Sequence, residues 1–390
     1  KKYWQAYVNV NENISGQEAI EQFTILFSDS IRKRLRSDVA IGTSLSGGLD
    51  SSAVVAFCDK QMADNYTHKC FTVTYPGFEK DEFAYASAVA KSYRLQHCTT
   101  TIIEDEVAEL MKMVMHHQEE PFSSASPLGQ YKVFQLAKEN GVTVLLDGQG
   151  ADEILAGYFK YYKWYWQELY RNKQLNSSAE LKYARSLGVT EPFNIKNKLA
   201  ALLPEFSAGI LQTKKAKEAF QHAHLNRDFA FENKRNLNYT VPASHDLNGA
   251  LYHDTFINGL EELLRLADRN SMAHSTEVRL PFLNYQLVEF LFTLPPHFKI
   301  HEGWTKWLLR KSVDDKLPKE ITWRKNKVGF EPPQKKWMIN KAVQESIMEG
   351  KKKLVQAHIL DPITLKNLRP HNAYAAVNSD WKYWSASFLF

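Results

Sequence analysis

The sequence contains few cysteines and no long apolar segment, and each absence excludes a class of protein. Its three cysteines, Cys58, Cys70 and Cys98, form neither a CxxC pair nor the even-numbered set of a disulfide framework. No stretch reaches the roughly 18 consecutive apolar residues that a membrane helix needs. No apolar signal core follows Lys1. We therefore expect a soluble, cytoplasmic protein that does not interact with membranes.

An excess of one charge is also missing. The net charge is only +5 over 390 residues, and the basic stretch Lys214-Lys215-Ala216-Lys217 is short. The sequence therefore does not predict a nucleic-acid partner. Hydrophobic residues make up 44% of the chain, which excludes a largely disordered protein and predicts two compact units or one large one. Because the sequence starts at Lys1 rather than Met, we expect a piece of a longer polypeptide.

The first half of the chain alternates helix and strand patterns. Ser15 and Glu18 are spaced as a capping box for a helix over 15–36. Short apolar segments predict strands over 39–45, 70–75, 98–103 and 142–146, and helices are predicted to begin near 53 and to span 81–93, 105–117 and 126–140. This alternation predicts a parallel sheet covered on both faces. After about residue 154 the strand pattern stops, and we expect mostly helices, including an amphipathic one over 254–273.

Two glycine-rich turns follow predicted strands, Ser46–Ser52 after the first and Asp147–Glu153 after the strand over 142–146. Ligands of open α/β sheets bind outside the carboxyl ends of the strands, so the two turns could face one crevice. Gly47 and Gly48 allow a tight turn whose N–H groups, together with nearby serine hydroxyls and a helix N-terminus, suit a phosphate-sized anion. The turn is not a Walker A loop, because GxxxxGK[ST] is absent.

Asp50 is out of place in a pure phosphate site, since its carboxylate would repel the ligand. A Mg²⁺ ion bound with a nucleotide pyrophosphate would remove that repulsion, and Asp152 in the second turn would be a natural second ligand. The alternative is that both segments are ordinary capped turns. His116, His117 and His253 have no partners at metal-ligand spacing, so we expect structural roles for them.

At these residues the sequence resembles the PP-loop ATP pyrophosphatases, whose signature SGGxDS corresponds to Ser46–Ser51. Further blocks narrow the resemblance to the synthetase domain of glutamine-dependent asparagine synthetases: Leu146–Glu153 with Gly157-Tyr158, Glu277–Leu283, and Arg324–Phe330. The resemblance implies a five-stranded parallel doubly wound α/β sheet of the PP-loop (adenine nucleotide α-hydrolase-like) type, followed by a mostly helical C-terminal region.

The resemblance also implies a domain layout. It comprises an N-terminal segment and helix over 1–36, a PP-loop ATP-binding core over 37–158, a mixed, mostly helical insertion over 159–250 and a helical part over 251–390 that completes the active site. The family's N-terminal glutaminase domain is absent from this chain, so it was removed or lies on another chain. We therefore expect the chain alone to use ammonia but not glutamine, and the resemblance allows for a homodimer.

The activity implied is that of an AMP-forming carbon–nitrogen ligase of the glutamine-hydrolysing asparagine synthetase type. A carboxylate, with L-aspartate as the leading candidate, attacks the α-phosphorus of MgATP and pyrophosphate leaves. Ammonia then displaces AMP from the acyl-adenylate and gives an amide, here L-asparagine. Asp50 and Asp152 would carry Mg²⁺, and Lys327 would stabilise the charge on the α-phosphate and the adenylate.

The resemblance assigns further residues to the site. ATP and pyrophosphate would be bound by Leu45, Ser46, Gly47, Gly48, Asp50, Ser51, Ser52, Val73, Asp147 and Gly148. Gln149, Glu153 and Glu262 would lie near the substrate or intermediate, although Glu262 is expected at the surface rather than as a base. Glu277 and Arg279 are expected to form a structural ion pair at a helix end, and Arg324, Lys325 and Lys327 form a charge run of the kind that is usually a solvated face. The segment 324–334 is a candidate lid.

The sequence departs from the family at two positions of the second turn. Gln149 replaces an acidic residue that many asparagine synthetases carry there, and Asp147 replaces the family's serine. Two alternatives therefore stay open. One is an amide-forming enzyme of the same family that acts on another acid, from a surface polysaccharide or a secondary metabolite. The other is a non-catalytic ATP-binding module.

Overall fold

The computed structural model describes residues 3–62, 66–234, 239–325, 329–366 and 378–390. Five parallel strands form one sheet in the order β3-β2-β1-β4-β5, and β6 and β7 form a separate antiparallel hairpin. This confirms the expected five-stranded parallel fold. The strands are β1 Ile41–Ser44, β2 Lys69–Thr74, β3 Gln96–Thr101, β4 Val144–Leu146, β5 Glu277–Arg279, β6 Ile300–His301 and β7 Trp304–Thr305.

One helix precedes the first strand, and further helices connect the first four strands of the sheet, as the alternating pattern predicted. The Ser15–Glu18 capping box begins the first helix as expected. These helices are α1 Gly16–Arg34, α2 Leu49–Asp59, α3 Phe83–Ser92, α4 Val107–Gln118 and α5 Ser126–Glu139.

The remainder of the chain is mostly helical, as expected. No helix in the described ranges is long and apolar enough to cross a membrane. The helices are α6 Ala151–Ile154, α7 Lys160–Arg171, α8 Glu180–Ser186, α9 Ile195–Leu202, α10 Pro204–Phe220, α11 Arg227–Glu232, α12 Leu247–Phe256, α13 Leu260–Met272, α14 Tyr285–Phe292, α15 Trp307–Ser312, α16 Lys319–Thr322, α17 Gln334–Trp337, α18 Lys341–Gln356 and α19 Ser379–Ala386.

The prediction of a single helix over 254–273 is wrong. The amphipathic pattern over 254–273 belongs to two helices, α12 and α13, separated around Gly259. Gly259 has a φ of +133°, a backbone conformation that residues with a Cβ rarely adopt. The apolar periodicity continues on both sides of this break, which explains why the pattern alone suggested one helix.

The prediction that the strand pattern ends near residue 154 is also wrong, because β5 lies further along the chain. The strand is only three residues long and begins and ends with charged residues at the sheet edge. The predicted ion pair is present, with Arg279 Nε 2.8 Å from Glu277 Oε1, but it lies on strand β5 rather than at a helix end. Arg279 also donates to the carbonyls of Arg34 and Arg36, at 2.6 and 2.7 Å. The pair therefore ties the edge strand to the end of α1.

The sheet separates two apolar clusters. Leu146 belongs to one of them with Phe27 and Val54, whereas Leu145 belongs to the other with Phe134, as expected where adjacent strand residues face opposite sides. A third cluster lies around α7 and is rich in aromatic side chains. Burial of the two clusters on the faces of the sheet fixes the strands that carry the glycine turns.

Phe27 belongs to the cluster that contains Leu146 and Val54, and it provides a test of the packing. Its ring centroid is 4.5 Å from that of Phe282 and 4.9 Å from that of Phe57. Because Phe27 is fully buried, we expect Phe27→Ala to lower the free energy of unfolding by about 3–5 kcal/mol. Ile25→Ala, on the same helix but 67% exposed, should change it by less than about 0.5 kcal/mol. Thermal or urea unfolding checks this, and equal effects of the two variants would contradict it.

Candidate functional site

The two glycine turns meet at the carboxyl ends of neighbouring strands. Strands β1 and β4 pair directly, with Thr43 opposite Leu146. A Cβ added at Gly148 would lie 2.9 Å from both Asp50 Cβ and Ser51 N. Only glycine allows this close approach, so the two turns face one crevice, as the sequence suggested.

The first turn is held by its own serines. Gly47 has a φ of +78°, and Gly48 N–H donates to Ser46 Oγ at 3.2 Å. The hydroxyls of Ser46 and Ser51 lie 3.1 Å apart. Gly48 is the N-cap of α2 and offers its first turn no side-chain acceptor. The N-terminus of α2, with its positive dipole end, therefore suits an anion in the crevice.

Lys306 joins the two predicted metal-binding carboxylates. Its Nζ lies 2.5 Å from Asp50 Oδ2 and 2.7 Å from Asp152 Oδ1. Burial would lower the pKa of Lys306, but the neighbouring Asp152 and Asp50 carboxylates outweigh burial and raise that pKa above its usual value. The crevice thus holds a group that is cationic at neutral pH between two carboxylates.

The Asp50 and Asp152 carboxylates fit a divalent cation. Since one ammonium nitrogen contacts both side chains, their oxygens are close enough to share a single ion. In the part of the chain that the structure describes, no group of three or more His, Cys, Asp or Glu residues could hold a metal. A Mg²⁺ ion bound here by one or two carboxylates would complete its shell with water and substrate phosphates, as is usual for this ion.

Sequence reasoning missed Lys306. The residue follows β7 directly and has a φ of +53°, so its backbone is held in the left-handed region. An isolated lysine between Thr305 and Trp307 carries no motif. The only nearby signal is Gly157 in the second resemblance block, where an added Cβ would lie 1.7 Å from Asp152 Oδ1 and 2.2 Å from Lys306 Cε.

Gly157→Ala tests this packing around the carboxylates. The added methyl group would displace the Asp152 and Lys306 side chains, so we expect the pyrophosphate release from ATP that the resemblance implies to fall by about 100-fold. Gly209→Ala is a matched control, since a Cβ there meets nothing within 4 Å, and it should retain full activity. Initial rates and melting temperatures of both variants check this, and an active Gly157→Ala variant would contradict it.

Three cavities open from the crevice, and Gln149 lines all of them. The first cavity has an apolar floor that contains Leu45 and Val73, two residues predicted at the nucleoside. Its other lining residues include Ser46, Ser51, Phe71, Tyr75, Lys80, Asp147 and Phe330.

The second cavity is the most highly charged and the third is the most apolar. The second is lined by Gly48, Asp50, Ser51, Asp147, Gly148, Asp152, Lys306, Arg310 and Arg324, among others. The third combines hydroxyl and amide groups with apolar side chains, including Ser124, Ser126, Gln130, Tyr158, Phe159, Leu263 and Leu266. Asp152 lines both, so the second and third cavities meet at a carboxylate that also contacts Lys306.

Arg324 is not on a solvated face, in contrast to the interpretation of the charge run. Its Nη1 lies 2.6 Å from Glu82 Oε1, and its guanidinium stacks over the Tyr85 ring at 3.8 Å from the centroid. Its position in the second cavity adds positive charge opposite the two carboxylates. Lys327, the predicted catalytic lysine, lies outside the described residues.

Two predicted residues, Asp147 and Glu153, each accept a hydrogen bond from a residue close by in the sequence. The Asp147 carboxylate accepts the Gln149 N–H at 3.2 Å, and burial raises the pKa of Asp147. Glu153 is 3% exposed and accepts the Tyr158 hydroxyl at 2.5 Å, with its pKa also raised by burial. Glu153 therefore orients Tyr158, which lines the third cavity.

Two other predicted residues lie away from the cavities. Ser52 is fully buried in α2 and does not line any of the three cavities. Glu262 is exposed near the start of α13, whereas Leu263 and Leu266 of that helix line the third cavity. The structure thus does not bring the Ser52 and Glu262 side chains to the crevice.

Comparisons with known proteins show the family of this chain. A model of the asparagine synthase family matches residues 22–388. The chain is 28% identical over 389 residues to asparagine synthetase [glutamine-hydrolyzing] 1 of Bacillus subtilis, covering 92% of this chain and 56% of the relative. It is 27% identical over 307 residues to the asparagine synthetase [glutamine-hydrolyzing] of Rattus norvegicus, covering 77% and 41%. The chain thus spans about half the length of such relatives.

Proposed function

The chain belongs to the asparagine synthase family, and from this premise we propose that it catalyses ATP-dependent amide synthesis. In this reaction a substrate carboxylate oxygen attacks the α-phosphorus of ATP, and pyrophosphate leaves with the electrons of the broken P–O bond. Ammonia then attacks the acyl carbon, a proton is lost from the nitrogen, and AMP leaves. The products are an amide, AMP and pyrophosphate.

One observation carries this proposal. Asp50, Asp152 and Lys306 converge within 2.7 Å contacts where the second cavity meets the third. Phosphoryl-group chemistry consists mostly of positioning and charge neutralisation, so opposite charges fixed at one point are the parts that it requires. The three connected cavities would then bind the nucleoside, the pyrophosphate and the acid.

Each part of the nucleotide has a matching surface in this proposal. The apolar residues Leu45 and Val73 would contact the nucleoside. The first glycine turn and the N-terminus of α2 would bind the pyrophosphate through N–H groups and hydroxyls. Lys306, Arg310 and Arg324 would offset its negative charge from the other side of the second cavity.

Asp50 and Asp152 are the residues that would hold Mg²⁺, which when bound neutralises part of the triphosphate charge. In the structure Lys306 links the two carboxylates through Asp50 Oδ2 and Asp152 Oδ1. We retain the proposal that Lys327 acts on the charge of the α-phosphate, on the basis of the family resemblance.

L-Aspartate is the first acid to test, because the relatives are named asparagine synthetases. A second candidate class is a larger acid with an apolar portion. It is favoured by the third cavity, whose walls include Phe159, Leu263 and Leu266. The uncharged Gln149 at the junction of all three cavities also favours it.

We propose ammonia as the direct nitrogen donor. Because the chain spans about half the length of its relatives, a glutaminase domain elsewhere in the full-length protein or on another chain would supply that ammonia. The three cysteines are free thiols, which suits the reducing cytoplasm as the site of this reaction.

Pyrophosphate release from MgATP with ammonium present tests the proposal. L-Aspartate and a panel of other carboxylic acids are supplied in turn, and AMP and the amide are followed by mass spectrometry. We expect equal amounts of pyrophosphate, AMP and amide with at least one acid. ATP binding without release for any acid would instead favour a non-catalytic module.

A further inference from the structure

The β6–β7 hairpin, which directly precedes Lys306, is held by helices α7 and α8, which lie between β4 and β5 in the chain. Strands β6 and β7 pair through only two residue pairs, Ile300 with Thr305 and His301 with Trp304. So short a hairpin has little stability of its own. Glu302 and Lys306 also have positive φ values, +49° and +53°, which cost energy for residues with a Cβ. Contacts from outside the hairpin must therefore fix it.

Glu180, the first residue of α8, supplies two of these contacts. Its Oε1 accepts the Glu302 N–H at 2.7 Å and its Oε2 accepts the Gly303 N–H at 2.9 Å. Glu180 is 3% exposed. Both carboxylate oxygens thus bind adjacent N–H groups of the hairpin turn in a desolvated environment, where charge-assisted hydrogen bonds are strong.

Two further contacts hold the same turn. The Tyr162 hydroxyl of α7 donates to the Gly303 carbonyl at 2.5 Å. Gly303 has a φ of +75°, and a Cβ there would lie 2.5 Å from Ala184 N. Side chains of α7 and α8 therefore bind both the N–H groups and a carbonyl group of one turn. The backbone of α8 packs directly against the same turn.

We propose that Glu180 and Tyr162 are positioning residues that hold Lys306 between Asp50 and Asp152. Their action is indirect, since they contact Glu302 and Gly303 and reach Lys306 through β7. The catalytic consequence of this inference rests on the proposed function. The contacts of Glu180 and Tyr162 with the hairpin turn, which we call the clamp, are a property of the folded chain. It gives the segment that contains α7 and α8 a specific role in the active site.

The position of Lys306 can be measured without turnover. A short pulse of acetic anhydride labels accessible lysines, and mass spectrometry gives the rate for each one. We expect Glu180→Gln to raise the labelling rate of Lys306 about fivefold, because the amide group would oppose one hairpin N–H and loosen the turn. Tyr162→Phe removes only the hydroxyl and should act in the same direction with a smaller effect.

Two references make this measurement specific. Lys351 is also buried and pairs with Asp380 at 2.5 Å in the α18–α19 region, so its labelling rate should stay constant. Glu191→Gln removes a carboxylate of the loop between α8 and α9 that pairs with Lys163 instead, and it should leave Lys306 labelling unchanged. An unchanged Lys306 rate in both clamp variants, or an equal rise at Lys351, would overturn the proposal.

Kinetics of pyrophosphate release then test the link to Lys306. Glu180→Gln should lower kcat about tenfold in the otherwise unchanged protein. In a Lys306→Met background the same change should lower kcat by less than about twofold, since the group it positions is gone. Equal losses in both backgrounds would indicate general destabilisation and contradict the clamp. If no acid supports release but Lys306 labelling rises, the proposed function fails while the clamp stands.

Discussion

Lys306→Met should lower kcat/KM for pyrophosphate release by about 10²–10³-fold. Lys306 is 4% exposed and contacts both Asp50 and Asp152, so methionine would remove the cation while filling a similar volume. Removal of one preorganised group that stabilises charge in the transition state costs about this much in other enzymes. Steady-state kinetics at saturating ammonium, with the acid identified by the panel, give the ratio directly.

Lys311→Met is the matched control for this experiment. Lys311 lies in α15, close to Lys306 in sequence, but it is exposed and contacts the rings of Trp307 and Trp323. We expect its kcat/KM to stay within about twofold of the parent. A Lys306→Met variant with normal kinetics and a normal melting temperature would show that Lys306 is only a structural counterion.

Asp50→Asn and Asp152→Asn should each lower pyrophosphate release by about 10²–10³-fold and raise the Mg²⁺ concentration required for half-maximal rate. In the structure both carboxylates contact the Lys306 ammonium group, so their oxygens are close enough to share one cation. Asparagine retains the shape but loses the charge. Rates measured over a Mg²⁺ titration separate weakened metal binding from slower chemistry.

Asp59→Asn at the end of α2 serves as the control for Asp50→Asn. It removes an exposed carboxylate from the same helix without touching the crevice, so its Mg²⁺ titration should match the parent. If either crevice variant needed no more Mg²⁺ than the parent, the assignment of Asp50 and Asp152 as metal ligands would be wrong.

The sheet and its two turns could be predicted from the sequence because their signals are local. An apolar segment followed at once by glycines identifies both β1 and β4, and the pairing of Thr43 with Leu146 brings the turns together. Strand β5 was missed because three residues with charged ends carry too little signal. The break at Gly259 was missed because apolar periodicity persists on both sides of it.

The role of Lys306 could not be predicted, because it depends on contacts between distant parts of the chain. Its partner Asp50 lies 256 residues away, and no spacing rule connects them. The same holds for Glu180, whose carboxylate accepts hydrogen bonds from the N–H groups of Glu302 and Gly303, 122 and 123 residues further along the chain. Local patterns suggested the candidate residues within the two turns, whereas candidates that reach the crevice from other elements required the fold.

The most direct test of the central claim follows one oxygen atom. The acid that supports pyrophosphate release is supplied with ¹⁸O in its reacting carboxylate, together with ATP, Mg²⁺ and ammonium. If that carboxylate attacks the α-phosphorus, one ¹⁸O atom must be transferred to AMP and be absent from pyrophosphate. AMP that carries no ¹⁸O, or label found in pyrophosphate, would contradict adenylation at this site.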